Sequence, residues 1–365
     1  MRGQVPGQPS MYALVSPDAY VPKLHPIREV KQVADACLRA LEPEFAAMYA
    51  HTGRHSVPPE RLLKASLLMA LFSVRSERQL CEQIHYNLMF RWFLDMDLTE
   101  TAFDPTTFSK NRERLMQHDV AHAFFAQVVA HARSRRLLSE DHFTVDGTLI
   151  EAWASLKSLR PKDEAPDDRD PPDDKGNPSV DFHGEKRGNA THASTTDPEA
   201  KLARKGHGKE AKLCFGAHAL MENRNGLLVD LHVAGVLDET EREAALRMLE
   251  RSVPGSHRVT VAADKAYDTH GFIAGCRALR VTPHVAQNSK RRGGSAIDNR
   301  TTRHWGYRVS QRIRKRVEEI FGWCKTVGGF RRTRYKGRER TQLAAWMVGA
   351  AYNLLRIAKL SAATA

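Results

Sequence analysis

The hydrophobic pattern of this chain changes period once, near Leu137, and that change constrains the fold more than any single motif. From about residue 25 to 135, apolar residues recur at three- and four-residue steps with Arg and Lys between them, as amphipathic helices require. His25-Pro-Ile-Arg and Val57-Pro-Pro-Glu open two such runs with proline where a helix start tolerates it, and Asp104-Pro-Thr-Thr reads as a capped helix start. Beyond Leu137, DHFTVDGTLIEAWA, AKLCFGAHALMEN and GLLVDLHVAGV read as strands, with Asn223-Arg-Asn-Gly226 as a hairpin turn between the last two. The strands RVTVAADKAYD and VTPHVAQN then alternate with the helical ETEREAALRMLERSV and HGFIAGCRALR, and from about Trp305 the chain reads as helical to near its end. This order predicts a mixed α/β fold, a mixed sheet flanked by helices behind an all-helical N-terminal region. An all-parallel doubly wound sheet is the alternative, and the hairpin counts against it.

Three boundaries follow. Residues 1–24, rich in Pro and Gly, read as a flexible tail, 25–135 as a helical domain, and 136–365 as the α/β domain. Inside the last, about 155–212 is crowded with Lys, Asp, Pro, Gly and His and nearly free of large apolar residues, so it reads as a mobile insertion that cannot order itself alone. The formal net charge of +13 and pI near 9.6 point to a polyanionic partner, nucleic acid first, because Lys and Arg release its condensed counterions. Five scattered cysteines without a C-x-x-C pair argue against a disulfide framework or zinc site and for a reducing, cytoplasmic compartment. The longest apolar stretch, LLKASLLMALFSV, contains Lys64 and is too short to span a bilayer, so no membrane partner is expected.

Three acidic residues stand where the pattern is otherwise apolar or stops abruptly. Asp146 interrupts FTVDGTLI, Asp264 ends VTVAAD, and Glu318 lies on RIRKRVEEIFGWCK. On an uninterrupted helix Arg314, Glu318 and Lys325 share one face, with Glu319 about 100° away. Two metal ions about 4 Å apart can bracket the attacking and leaving oxygens of a phosphoryl transfer, and a few carboxylates suffice to hold them. That chemistry requires the three carboxylates within roughly 4–8 Å of one another. Each also has a plainer reading: Asp146 as an edge residue, Asp264 as a helix cap, Glu318 as a solvated partner of Arg314.

Around these residues the chain resembles the insertion-sequence transposases of the DDE class, in particular the "insertion sequence five" family of bacteria. The likeness rests on FTVDGTLIEAWAS around Asp146, ADKAYD around Asp264, and the R-x3-E-x6-K spacing of Arg314, Glu318 and Lys325. SERQLCEQIHYNLMFRWFLDMDL, FDPTTFSKNRERL and GKEAKLCFGAHALMENRNGLLVD extend it, so that it covers about residues 25 to 357. The resemblance implies an RNase H-like catalytic domain with a mixed five-stranded sheet, two bound Mg2+ ions (Mn2+ substituting), and Asp146, Asp264 and Glu318 as catalytic metal ligands. It implies cleavage at transposon ends followed by strand transfer, with double-stranded DNA (terminal inverted repeats and target) as partner, a homodimer in the synaptic complex, and a nucleoid-associated bacterial location. The family's signature tyrosine, three residues before the arginine, is Gln311 here; Tyr307 is nearby at another spacing. Candidate DNA contacts are Arg314, Lys325, Arg331, Arg332, Arg334 and Lys336, with Phe330 and Tyr335 as possible base-stacking rings, and Arg75, Arg78, Arg112 and Arg114 on the N-terminal helices. Other readings are an RNase H-like nuclease that cuts without joining, and a catalytically silent DNA-binding derivative.

Overall fold

The computed structural model describes residues 16–49, 52, 56–162, 187–206, 208–253, 255–290 and 292–364. The N-terminal region is helical: α1 (Pro17–Tyr20), α2 (Ile27–Arg39), α3 (Glu42–Ala47), α4 (Pro59–Leu71), α5 (Glu77–Tyr86), α6 (Leu88–Phe93), α7 (Pro105–Gln117) and α8 (Val120–Ser134). Local chemistry sets these starts. Ser76, Asn87 and Asp104 accept hydrogen bonds from backbone amides of the first turns of α5, α6 and α7, and proline opens α4 and α7.

The strands are β1 (His142–Glu151), β2 (Leu159–Pro161), β3 (His192–Ser194), β4 (Lys201–Ala203), β5 (Lys212–Glu222), β6 (Leu228–Gly235), β7 (Val259–Ala263) and β8 (Val281–Val285). β5 lies antiparallel to β1 and β6, whereas β1, β7 and β8 run parallel. The order β6-β5-β1-β7-β8 is thus a five-stranded mixed sheet, as the sequence pattern predicts. A sixth strand corrects that count: β4 pairs with residues 212–214 of β5, on the side where β6 pairs with residues 215–221. β4 comes from the charged 155–212 stretch, and so do β2 and β3, which pair with each other. Residues 155–162 and 187–206 are therefore built into the fold by pairing with neighbours, although their composition could not bury a core. The remainder of that expectation, at 163–186, lies outside the described residues, as do residues 1–15 of the expected tail.

Helices α9 (Glu241–Ser252), α10 (His270–Ala278), α11 (Asn299–Thr302), α12 (Trp305–Ile313), α13 (Val317–Thr326) and α14 (Arg338–Thr364) complete the chain. Strands β5 and β6 are buried almost throughout, which explains why their sequences run nearly continuously apolar instead of alternating. The hairpin between them forms as the sequence suggests. Gly226 takes the positive φ of 70° that the turn needs, and buried Glu222 accepts four backbone N–H groups, from Ser139, Arg224, Asn225 and Leu227.

Helix α14 joins the two halves. It packs against α2, α4, α7 and α8 on one side and β6 on the other, and one hydrophobic core runs from Val21 to Ala358. Its amides also close the sheet edge. The Asn353 side chain bonds Leu228 N (2.9 Å) and O (2.7 Å), and that of Gln342 bonds Val233 N (2.6 Å) and Leu231 O (2.9 Å). Backbone groups that β6 leaves unpaired are satisfied by two side chains three helical turns apart.

The sequence predicts an uninterrupted helix from about Trp305. Instead, Arg314–Arg316 form a 3-10 turn between α12 and α13, and residues 327–337 leave helical geometry before α14. A 3-10 turn advances about 120° per residue against about 100° in an α-helix, so Arg314 and Glu318 do not keep the shared face expected of them. No helix among the described residues is long and apolar enough to cross a membrane, and all five cysteines are buried free thiols.

Candidate active site

Strand register brings the first two carboxylates together. β1 and β7 pair in parallel through His142↔Thr260, Phe143↔Val261 and Thr144↔Ala262. Two residues further along each strand stand Asp146 and Asp264, side by side and on the same face, on backbones roughly 5 Å apart where the strands are paired. Beyond this point the strands part. β7 ends in a 3-10 turn that Asp264 caps, its Oδ1 accepting from Ala266 N at 2.7 Å, while β1 continues along β5. Asp146 Oδ1 accepts from Gly147 N at 2.8 Å.

These aspartates line a hollow of about 510 Å³, together with Gly147, His218, Glu239, Glu241, Arg204 and Lys205. Burial pushes the Asp146 carboxyl up to about 6; the charges of Asp264 and Glu241 add to the rise, which Gly147 N–H and Arg314 oppose. Burial and the Asp264 charge likewise raise Glu241. Glu241 escaped the sequence reading. It opens α9 behind Thr240, which forms a capping box with Glu243, so in sequence it reads as an ordinary first-turn acid. The β1–β5 register sets Gly147 opposite His218, and a Cβ at Gly147 would lie 2.9 Å from His218 Nδ1 and 3.1 Å from Glu241 Oε1. Glycine is needed there because a side chain and a carboxylate close over the strand. Burial, then His232, depresses the His218 imidazole to about 4.

Hard oxygen donors facing one hollow, with Asp146 and Glu241 raised by burial and then by neighbouring carboxylate charge, are a donor set that fits a divalent cation. Among the described residues, no three His, Cys, Asp or Glu side chains converge closely enough to enclose an ion without rearranging.

Glu318 does not line this hollow; it is exposed on the first turn of α13. Arg314, one turn earlier, does act on Asp146, and it is held by Gln311, whose Oε1 accepts from Arg314 Nε at 3.0 Å while its Nε2 donates to His284 O at 2.6 Å. Gln311, where the signature tyrosine was expected, thus orients the arginine. Tyr307 instead donates to Val285 O at 2.9 Å.

The basic candidates divide in two. Lys325 Nζ bonds Thr148 Oγ1 at 2.6 Å and Leu149 O at 2.9 Å, docking α13 onto β1, and burial lowers its pKa. Arg332 donates to Ala152 O and Trp153 O. Arg112 pairs with Glu77 and covers the Tyr335 ring at 4.3 Å, and Arg114 lies over the Tyr49 ring at 4.7 Å. Arg334 is half-buried, burial lowering its pKa. These five make contacts within the protein. Base stacking by Phe330 and Tyr335 is also corrected, since Phe330 is buried in the core and Arg112 covers Tyr335. Arg331, Lys336, Arg75 and Arg78 stand exposed. At the hollow itself the cations are Arg204 and Lys205, which the sequence hid inside the charged insertion.

Residues 15–114 match the family model described as Transposase domain (DUF772), and residues 180–354 match Transposase DDE domain. Asp264, Glu318 and Glu241 fall inside the second match, and Asp146 lies between the two. No curated protein matches the chain. Among solved structures, a piggyBac transposase synaptic complex with hairpin DNA aligns at 11% identity over 93% of this chain and 76% of that one, with a TM-score of 0.44. A Mos1 transposase paired-end complex with left transposon end aligns at 11% identity over 84% of this chain and 82% of that one, with a TM-score of 0.20. Likenesses this remote carry no argument about the site.

Proposed function

We infer that this chain, which carries the two domains of a DDE-class transposase, is a DNA transposase working at the Asp146–Asp264 end of its sheet. The finer reading is that it cuts the phosphodiester at transposon ends and joins the freed 3′-hydroxyl to target DNA. The single observation that carries this is the parallel register that sets Asp146 beside Asp264 where β1 and β7 part. The order β6-β5-β1-β7-β8, three antiparallel strands followed by two parallel ones, supports an RNase H-like catalytic domain. Glu318 enters as third carboxylate from its R-x3-E-x6-K spacing, with Arg314 already acting on Asp146 one turn away.

Asp146, Asp264 and Glu318 would hold two Mg2+ ions, with Mn2+ substituting, which when bound supply an activated water and charge stabilisation at the leaving oxygen. The chain's own groups do the rest. Arg204 and Lys205 at the rim meet phosphates next to the reacting one, and Arg314, fixed by Gln311, offsets the charge of Asp146. Gly147 and Gly216 leave room for the His218 ring, which lines the hollow between them. The full assembly is a dimer on paired ends, the exposed cations of the N-terminal helices taking the terminal repeats.

The test is a labelled transposon-end duplex incubated with wild-type protein, Mg2+ and a target plasmid. Nicking followed by joined product supports the reading. Nicking without joined product makes the protein a nuclease of the same fold, and binding with neither makes it a silent derivative.

A further inference from the structure

Two acids other than Glu318 accompany Asp146 and Asp264 in the hollow, Glu239 and Glu241; Glu239 is taken up by His232 and Arg247, which leaves Glu241. Its carboxylate closes over Gly147, the residue after Asp146, and its charge acts on Asp146 just as that of Asp264 acts on it. Acidic residues alone would be a surface feature. Here two buried polar groups beside them lack any partner. The His218 ring lines the same hollow, is 3% exposed, and its Nδ1 makes no hydrogen bond. Tyr267 is 1% exposed with an unpaired hydroxyl, on which the charges of Glu241, Asp146 and Asp264 all act. A buried group left unpaired calls for an explanation, and an absent water or ion is one that fits a hollow lined by carboxylates. A hydrated cation fits both the negative charge and the unpaired groups, because magnesium-like ions keep several waters and those waters bond to the surrounding polar atoms.

We propose that Glu241 is an oxygen ligand of the divalent-cation site formed with Asp146 and Asp264, and that His218 and Tyr267 bond the waters that the cation retains. This rests on the reading of Asp146 and Asp264 above. It gives the DNA-free protein a site built wholly on the sheet and the start of α9, with Glu318 outside it. The Thr240 capping box fixes the first turn of α9, and the packing of α9 on β1, β5 and β6 fixes its distance from the sheet.

The test is Mn2+ binding to the full DNA-free chain, read as loss of the free-ion electron paramagnetic resonance signal. E241Q is expected to weaken binding at least about tenfold, as loss of even an indirect contact to a metal site does. D146N and D264N should do the same, while E250Q, exposed on the last turn of the same helix, should bind like wild type. Wild-type binding by E241Q alongside loss in D146N overturns the role of Glu241 and leaves the aspartates in place. Wild-type binding by D146N and D264N as well overturns the site itself. Should E241Q fail to fold, E241D keeps the charge but draws the carboxylate back by one methylene. The same weakening is expected of it, and wild-type binding by E241D overturns the proposal.

Discussion

Two clusters of charge, one under the N-terminal helices and one at the open end of the sheet, are resolved in opposite ways. In the N-terminal helices Lys64, 2% exposed, bonds Asp35 at 2.7 Å and Asp95 at 2.6 Å, and Lys31 bonds the same two aspartates. Two cations meet two anions there. Burial pushes the Asp95 carboxyl up, but hydrogen bonds from Lys31 and Lys64 outweigh it and hold the group below its ordinary range. In the hollow, Asp146, Asp264 and Glu241 face one another with Arg314 as the counter-charge on Asp146, and Asp146 rises to about 6. A fold that only needed stability would have neutralised the second cluster as it did the first. The cations there, Arg314, Arg242, Arg204 and Lys205, make no ion pair with these carboxylates and do not bring Asp146 back to its ordinary range, the kind of perturbation that clusters at functional sites.

The largest effect that would break this comparison is on cleavage. D146N and D264N should lower cleavage and joining by several orders of magnitude and leave affinity for the transposon end unchanged or slightly higher, because a charge repelling phosphate has gone. E318Q should show the same split if Glu318 joins the site in the DNA complex, and E319Q should be mild. Parallel binding and cleavage assays decide this, and normal cutting by D146N would end the reading of the hollow as an active site.

Stability gives the next pair of effects. K64A should cost roughly 2–4 kcal/mol in urea unfolding, below the range for a fully buried pair because the Asp95 side chain is 63% exposed. D146N should do the reverse. With the folded pKa near 6 against an ordinary 3.8, the folded state holds the Asp146 proton more tightly than the unfolded chain. The charged form therefore destabilises the fold, by nothing below about pH 4, increasingly up to about pH 6, and constantly above it. The ceiling is roughly 3 kcal/mol. In chelator at pH 7.5, D146N should thus be more stable than wild type, and the difference should vanish at pH 4. Asp95 has the opposite sign, its stabilisation being present above its unfolded pKa and lost as pH falls through the lower folded value. A D146N protein less stable than wild type at pH 7.5 would mean that the hollow is compensated after all.

Legibility in the sequence follows the same division. Asp146 and Asp264 were readable because an acid in or at the end of an apolar strand breaks a local pattern, and the β5–β6 hairpin was readable from Asn223-Arg-Asn-Gly226. Glu241 was not, since Thr240-Glu-Arg-Glu is what any capped helix offers and only the packing of α9 on β1 brings it to the hollow. The break at Arg314 left no trace either, because Arg, Lys and Val tolerate both helix types. β4 was hidden because Lys201-Leu-Ala is too short to show a period, and it forms by borrowing the free edge of β5. Lys64 was visible only as an obstacle to membrane insertion, and its two aspartates come from α2 and from the segment after α6, pairings that a linear pattern does not contain.

The smallest effects concern the cations of the N-terminal helices, and they separate structural charge from DNA-facing charge. Arg112, pinned between Glu77 and the Tyr335 ring, holds α7 against the segment before α14. Arg75 and Arg78 are exposed where α5 begins. A phosphate contact contributes about 0.9 to the slope of log affinity against log salt, whereas a cation already paired inside the protein contributes nothing to it. R75A and R78A should each lower affinity for a transposon end a few-fold at low salt, reduce the slope by about one, and leave the melting temperature within about a degree. R112A should lower the melting temperature and, assayed well below it, keep the wild-type slope. Binding isotherms at three or more salt concentrations distinguish these outcomes. If R112A flattened the slope while R75A and R78A kept it, the internal contacts of Arg112 would be an arrangement that DNA displaces, and the basic face would have to be redrawn around α7.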